Sequence, residues 1–145
     1  MPHALTNNLV HCVFSTKDRV DTIPDPDALW RYIAGIAREK KLPLLIAGGT
    51  KNHLHILIAL PAAITLAEAI KVLKGNSSKW LNQQGCTFAW QEGYGAFSVS
   101  ASNRQAVREY IAQQERHHQK RSFEQEFVAL LQKSGVGYDP RFILG

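Results

Sequence analysis

Alternating and grouped apolar residues along the chain predict four β-strands. The run "NNLVHCVFST" is rich in β-branched residues and predicts a strand from Leu9 to Phe14. The segments "LLIAGGT" and "HLHILIAL" predict two more strands, joined by a turn at Gly48 and Gly49. Aromatic and β-branched residues after a glycine-rich turn predict a fourth strand at 96–99.

Four other segments predict helices, because apolar residues recur at three- and four-residue intervals between capping and stop signals. These segments are residues 25–41, 65–85, 104–120 and 122–135. Asp25 followed by Pro26 is typical of a helix start, and so is Thr65 three residues before Glu68. Ser102 or Asn103 caps the third helix, and Ser122 caps the last.

The predicted order is strand, helix, two strands, helix, strand and two helices. This order most simply builds an α+β, ferredoxin-like (RRM-like) antiparallel sheet with the first two helices on one face. The later helices then lie near the other, more open face. A chain of 145 residues is long enough for one core, so we expect a single domain over residues 1–145.

Composition and charge narrow the class of protein. The chain is 45% hydrophobic and 20% charged, and it lacks both the roughly 18-residue apolar run of a membrane span and a signal-peptide pattern. We therefore expect a cytoplasmic protein without membrane contact. Cys12 and Cys86 form no CxxC and are expected to be reduced structural thiols. With 17 basic and 12 acidic residues, the net charge of +5 favours a polyanionic partner such as nucleic acid.

Two histidines at the head of the third predicted strand are candidates for chemistry. Side chains alternate along a strand, so His53 and His55 share one face while Leu54 and Ile56 share the other. The apolar pair is expected to face the helices. The two imidazoles then lie close enough to bind one metal ion, although polar residues on a solvated sheet face would show the same pattern.

The third predicted helix carries a candidate nucleophile. Tyr110, Gln114 and His118 recur at intervals of four and therefore share one helical face. Tyr110 could simply belong to the apolar stripe with Val107 and Ile111. A tyrosine hydroxyl beside a cation can also attack a phosphodiester and form a phosphotyrosine.

Together these residues resemble a known family. "NHLHIL" resembles the HUH motif (histidine, bulky apolar residue, histidine), and "YIAQQ" resembles the tyrosine-bearing helix of single-tyrosine HUH transposases. These are the IS200-like transposases of bacterial insertion sequences, with the REP-associated tyrosine transposases as relatives. Further likeness lies in "HCVFSTKDR", "SSKW", "WQEGYGAFSVS" and "YDPRF", so the resemblance covers nearly the whole chain.

The resemblance implies roles for individual residues. Tyr110 would be the catalytic nucleophile, and His53, His55 and Gln114 would be the metal ligands. The family often has Asn-Gln where this chain has Gln113-Gln114, so the ligand position is retained. The family cofactor is Mg²⁺ or Mn²⁺. Imidazole suits softer ions and Mg²⁺ prefers oxygen ligands, so ligand chemistry alone would not select Mg²⁺.

The resemblance also implies the substrate and the assembly. The expected activity is metal-dependent cleavage and rejoining of single-stranded DNA at hairpin-marked ends, through a 5′-phosphotyrosine. A homodimer is expected, with the site completed by the same chain or by its partner. We consider two alternatives: a domesticated relative that processes chromosomal repeats, and a non-catalytic nucleic-acid-binding module. A zinc hydrolase is disfavoured because no HExxH-type acidic base accompanies the histidines.

Basic and hydroxyl side chains in two segments are candidates for contact with DNA phosphates. The candidates are Lys71, Lys74, Ser77, Ser78 and Lys79 in the second helix, and His117, His118, Lys120 and Arg121 after the tyrosine. Trp80 and Trp90 could stack on bases, although the position of Trp80 near the apolar stripe of its helix favours a place in the core. The lysines could likewise be merely solvated.

Overall fold

Four antiparallel strands form one sheet in the order β2-β3-β1-β4. The strands are β1 (Leu9–Ser15), β2 (Leu44–Gly49), β3 (His53–Ala59) and β4 (Gly95–Val99). In the central pairing, Val13 of β1 lies opposite His55 of β3 on one side and opposite Gly95 of β4 on the other. The structure is a computed structural model, and it describes residues 5–117 and 121–140.

The helices are α1 (Pro26–Glu39), α2 (Leu66–Gln83), α3 (Arg104–Ala112), α4 (Gln114–His117) and α5 (Phe123–Lys133), with 3-10 turns at Lys17–Arg19 and Ala101–Asn103. Predicted caps are present: the Asp25 side chain accepts from the Ala28 N–H, and the Thr65 hydroxyl accepts from the Glu68 N–H. Ser122 caps α5 in a reciprocal capping box. The sheet order and the two helices of its first face confirm the predicted ferredoxin-like α+β fold.

The first face of the sheet packs against α1 and α2. Strand side chains on this face are Cys12, Phe14, Leu54, Ile56 and Ile58, all buried with the apolar stripes of the two helices. Side chains alternate between faces along a strand and repeat every 3.6 residues along a helix, so these apolar residues meet at one interface. Burial of each large aliphatic side chain contributes about 1.5–3 kcal/mol to the stability of the fold. Burial raises the pKa of the Cys12 thiol to about 12, so that thiol stays protonated at neutral pH.

The second face is covered, whereas the sequence predicted a more open face. Helix α5 packs Phe123, Phe127 and Leu131 against Val13 and Phe97. Helix α3 contacts β2 and β3. Because the two helices are themselves amphipathic, their apolar stripes require a partner, and this face provides it.

The long helix predicted over residues 104–120 is interrupted. Gln113 leaves the helical conformation at φ −108° and ψ 26°, and α4 starts at the next residue. The Gln113 N–H donates to the Tyr110 carbonyl, three residues earlier, and this bond tightens the last turn of α3. The side chain of Gln114 is thereby directed into the protein, where it is 1% exposed.

The predicted turn at Gly48 and Gly49 is wrong, because both residues belong to β2 and pair with His55 and Leu54. The chain instead turns at 50–52. Gly48 has a packing role: a Cβ atom there would collide with the Ile111 carbonyl oxygen. The absence of a side chain lets α3 lie directly on β2.

No helix in the described part of the chain combines the length and the apolar character needed to cross a membrane.

We expect Gly48→Ala to lower the free energy of unfolding by about 1–3 kcal/mol, because the added methyl pushes α3 away from the sheet. Gly75→Ala in α2 is the matched control, since a Cβ there meets nothing within 4 Å. That control should raise stability by about 0.5–1 kcal/mol through helix propensity. Urea unfolding measures both variants. Equal stability of Gly48→Ala and the wild type would contradict the close approach of α3.

Candidate metal and nucleophile site

His53 and His55 lie side by side on the covered face of the sheet and are both fully buried. Their Nε2 atoms point toward one carboxylate of α5. The His55 Nε2 atom lies 2.9 Å from Glu126 Oε1, and the His53 Nε2 atom lies 3.7 Å from the same oxygen. The predicted sharing of one face by the two imidazoles is therefore confirmed, in a buried rather than a solvated setting.

Gln114 reaches the same point from α4. Its Oε1 atom lies 3.0 Å from His53 Nε2, and its Nε2 atom donates to the Tyr110 carbonyl at 3.4 Å. The break at Gln113 makes this position possible, because it turns the next side chain toward the sheet. Two imidazole nitrogens, one amide oxygen and one carboxylate oxygen thus converge.

Tyr110 is half-buried at the edge of this group, and its hydroxyl donates to Glu126 Oε2. Burial raises the pKa of Tyr110 above its ordinary value, and the hydrogen bond and negative charge of Glu126 raise it further. Hydrogen bonds with Gln114 and Arg121 act in the opposite direction. The phenol therefore keeps its proton at neutral pH.

A second layer of side chains orients the imidazoles. Asn52 Oδ1 lies 2.8 Å from His53 Nδ1 and can only accept, so Nδ1 carries a hydrogen and directs Nε2 toward the site. His11 Nε2 lies 2.8 Å from His55 Nδ1. Burial lowers the pKa of His11 to about 3, with a further lowering from His55 and an opposing effect of Glu126. His11 is therefore a neutral hydrogen-bonding partner of His55.

The residues at this point fit a divalent cation. The ligand atoms of His53, His55 and Glu126 all lie within 4.8 Å of one another. Donors about 2.1 Å from an octahedral ion are about 3 Å apart, close to the separations seen here. The His53 Nε2 atom faces two oxygen acceptors, from Gln114 and Glu126, an arrangement that a cation satisfies. Opposite His53 on β1, the buried Ser15 hydroxyl has no hydrogen-bond partner among the described residues.

Sequence reasoning missed Glu126, although a signal was present. In α5 the apolar residues Phe123, Phe127 and Leu131 follow one another at intervals of four. Glu126 is three residues after Phe123 and four before Leu130, so it falls on the inward-facing side of the helix, and it is 0% exposed. A carboxylate at such a position requires a polar or cationic partner.

The candidate DNA contacts in α2 lie in different environments. Ser77 is fully buried, and its hydroxyl donates to the Leu73 carbonyl at 2.7 Å and accepts from Trp90 Nε1 at 2.9 Å. A contact between Ser77 and DNA would require displacement of α2, so the proposed DNA surface does not include Ser77. Lys71 and Lys79 are exposed.

The Lys74 ammonium group donates to three backbone carbonyls, those of Gln91, Glu92 and Gly93, at 2.6, 3.1 and 3.1 Å. Partial burial lowers its pKa to about 8, and the charge of Glu92 opposes this shift. Lys74 therefore fastens the loop before β4 to α2.

The candidate contacts after the tyrosine are only partly described. The side chain of His117 and the residues His118 and Lys120 lie outside the described part of the chain. Arg121 lies beside Tyr110. It lines a surface depression of about 400 Å³ together with Tyr110, His11 and Lys133, so a basic depression opens beside the phenol.

Comparison with solved structures assigns the class of fold. A protein from Deinococcus radiodurans R1, determined as a candidate transposase, superposes with a TM-score of 0.59 at 22% identity, over 77% of this chain and 94% of that one. A REP-associated tyrosine transposase bound to a REP hairpin superposes with a TM-score of 0.58 at 12% identity, over 77% of this chain and 68% of that one. The fold is that of the tyrosine transposases.

Sequence comparison gives the family. The profile described as "Transposase IS200 like" matches residues 4–114, which is most of the chain. Among curated proteins, none matched. The chain belongs to the IS200-like transposase family. The match ends at Gln114, so Glu126 and the whole of α5 lie beyond it.

We expect Lys74→Met to lower the free energy of unfolding by about 1–3 kcal/mol, because it removes a charged donor from three carbonyls. Lys71→Met removes the same charge from the exposed side of the same helix and should change stability by less than about 0.5 kcal/mol. Urea unfolding at pH 7 compares the two variants. Equal stabilities would show that the Lys74 contacts do not hold the loop.

Proposed function

We propose that the protein is a DNA transposase that cleaves and rejoins single-stranded DNA at hairpin-marked ends through a phosphotyrosine at Tyr110. The observation that carries this proposal is the convergence of the Tyr110 hydroxyl, His53 and His55 on one buried carboxylate, with Gln114 Oε1 3.0 Å from His53 Nε2. A phenol and a group of metal-ligating atoms at one point suit phosphoryl transfer. Family membership supports the same class of reaction.

The chemistry is a transesterification. The Tyr110 oxygen forms a bond to phosphorus, and the bond from phosphorus to the 3′ oxygen of the preceding nucleotide breaks. The 5′ end stays on the protein, a 3′-hydroxyl leaves, and a later attack by another 3′-hydroxyl restores a phosphodiester. Mg²⁺ or Mn²⁺, bound by His53, His55 and Gln114, would polarise the phosphate. Tyr110 loses the proton that its hydroxyl donates to Glu126 Oε2 as the bond to phosphorus forms, and the departing 3′ oxygen takes up one proton, so the step balances.

Two surfaces are proposed to hold the DNA. The depression beside Tyr110 carries Arg121 and Lys133, which can neutralise phosphates of the strand being cleaved. Lys71, Ser78 and Lys79 lie on α2, which packs on the other face of the sheet, and would contact the DNA away from the reacting phosphate. His117, His118 and Lys120 remain candidates for contact with DNA.

The REP-associated neighbour, whose structure contains a REP hairpin, favours one variant of this proposal. In that variant the protein is a domesticated relative, and its substrate is a hairpin formed by a chromosomal repeat. Cleavage of repeat hairpins but not of the gene's flanking DNA would support this variant.

The homodimer implied by the family resemblance is part of both proposals. Within one chain, the Tyr110 ring already lies 5.9 Å from that of its own His55, measured between centroids.

We expect Tyr110→Phe to abolish the covalent protein–DNA product, because phenylalanine has no oxygen to attack phosphorus. The assay incubates labelled single-stranded DNA from the gene's flanks with Mn²⁺ or Mg²⁺ and resolves the products on a denaturing gel. Tyr94→Phe is the matched control, since Tyr94 lies before β4 and is 37% exposed. A covalent band that persists in Tyr110→Phe, or resists chelation of the metal, would contradict the proposal.

We expect Arg121→Ala and Lys133→Ala each to weaken binding of single-stranded DNA and to reduce the slope of log K against log salt by about 0.7, as loss of one phosphate contact requires. Lys40→Ala removes the same charge from the end of α1 and should leave the slope unchanged. Fluorescence anisotropy at several salt concentrations measures the slope. If Arg121→Ala and Lys133→Ala gave the same slope as Lys40→Ala, the depression beside Tyr110 would not be part of the DNA-binding surface.

A further inference from the structure

The two oxygens of the Glu126 carboxylate point at different partners. Oε1 lies 2.9 Å from His55 Nε2 and 3.7 Å from His53 Nε2, whereas Oε2 accepts the hydrogen bond of the Tyr110 hydroxyl. One side chain therefore connects the imidazole pair to the phenol. Since Glu126 lies in the first turn of α5, the capped start of this helix fixes its position.

Burial makes this carboxylate unusual. Glu126 is 0% exposed, and a buried carboxylate is costly unless a cation or several hydrogen bonds compensate for it. The partial positive charge at the start of α5 offers some compensation. A divalent cation between Glu126 and the imidazoles would balance the charge directly.

The chemistry of the other donors leads to the same conclusion. His53, His55 and Gln114 offer two nitrogens and one neutral oxygen, a weak set for Mg²⁺ or Mn²⁺. These hard ions are normally bound through carboxylates. Adding Glu126 gives two nitrogens, two oxygens and one negative charge, which suits Mn²⁺ better than the three neutral ligands do.

We propose that Glu126 is a fourth metal ligand, through Oε1, and at the same time the group that positions the Tyr110 hydroxyl, through Oε2. This inference rests on the metal-dependent tyrosine chemistry proposed above. It adds a residue from α5, beyond the family match, to the ligand set, and it explains how the half-buried phenol is held at a fixed place relative to the cation.

The test measures binding of Mn²⁺ alone to the full chain by calorimetry, without DNA. Glu126→Gln keeps the shape of the side chain but removes the negative charge and replaces one carboxylate oxygen with an NH2 donor. It therefore cannot ligate the cation through one oxygen while a second oxygen accepts the hydrogen bond of the Tyr110 hydroxyl. We expect Mn²⁺ affinity to fall at least about tenfold. Glu124→Gln is the matched control: it removes the same charge from the same helix, at an exposed side chain paired with Arg19. Its affinity should equal that of the wild type.

The histidine variant His53→Gln separates failure of this inference from failure of the proposed function. If His53→Gln weakens Mn²⁺ binding and Glu126→Gln does not, the cation is bound without Glu126 and the inference is wrong. If neither variant changes the affinity, the proposed metal site itself is wrong. Should Glu126→Gln not fold, Glu126→Asp decides: it keeps the charge but retracts it, so weaker binding supports the inference and unchanged binding overturns it.

The positioning role has its own measurement. At saturating Mn²⁺ and DNA, we expect Glu126→Gln to form the covalent product more slowly than Glu124→Gln, with unchanged affinity for DNA. A merely structural effect would lower DNA affinity and thermal stability together. Equal single-turnover rates for the two variants at saturation would overturn the positioning role and leave only the ligand role.

Discussion

A buried carboxylate dictates the organisation of the second face of the sheet. Two imidazoles and a phenol contact Glu126 there, and it lies in the first turn of α5, so these groups help to offset the cost of burying its charge. These groups come from three different elements. Strand β3 supplies the histidines, α3 supplies Tyr110 and α5 supplies the carboxylate, so correct docking of both helices and the assembly of the site are one event.

The first face was predictable because its signals are local. Strand alternation assigned Leu54 and Ile56 to one face and the histidines to the other, and caps such as Asp25 and Thr65 marked the helices. These features depend on residues a few positions apart, where hydrophobic period and capping chemistry act directly. The proposed ligand role of Gln114 came from the family motif rather than from the hydrophobic period.

The missed features depend on contacts between distant residues. The glycines of β2 indicate a turn when considered alone, and only the approach of α3 to Gly48 explains why the strand needs them. The break at Gln113 follows from docking of α3 and α4 on the sheet, which no local pattern encodes. Glu126 on an apolar stripe was visible as an anomaly, but its partners lie 71 and 73 residues earlier in the chain, at His55 and His53.

The position of α5 also changes what counts as the minimal unit of this protein. Residues shared with the family profile end at Gln114, yet Phe123, Phe127 and Leu131 cover Val13 and Phe97 from beyond that boundary. A recombinant fragment trimmed to the shared region would present both imidazoles and this apolar surface to solvent. Recombinant fragments and chimeras that aim to preserve the site should therefore extend at least to Lys133, the last residue of α5.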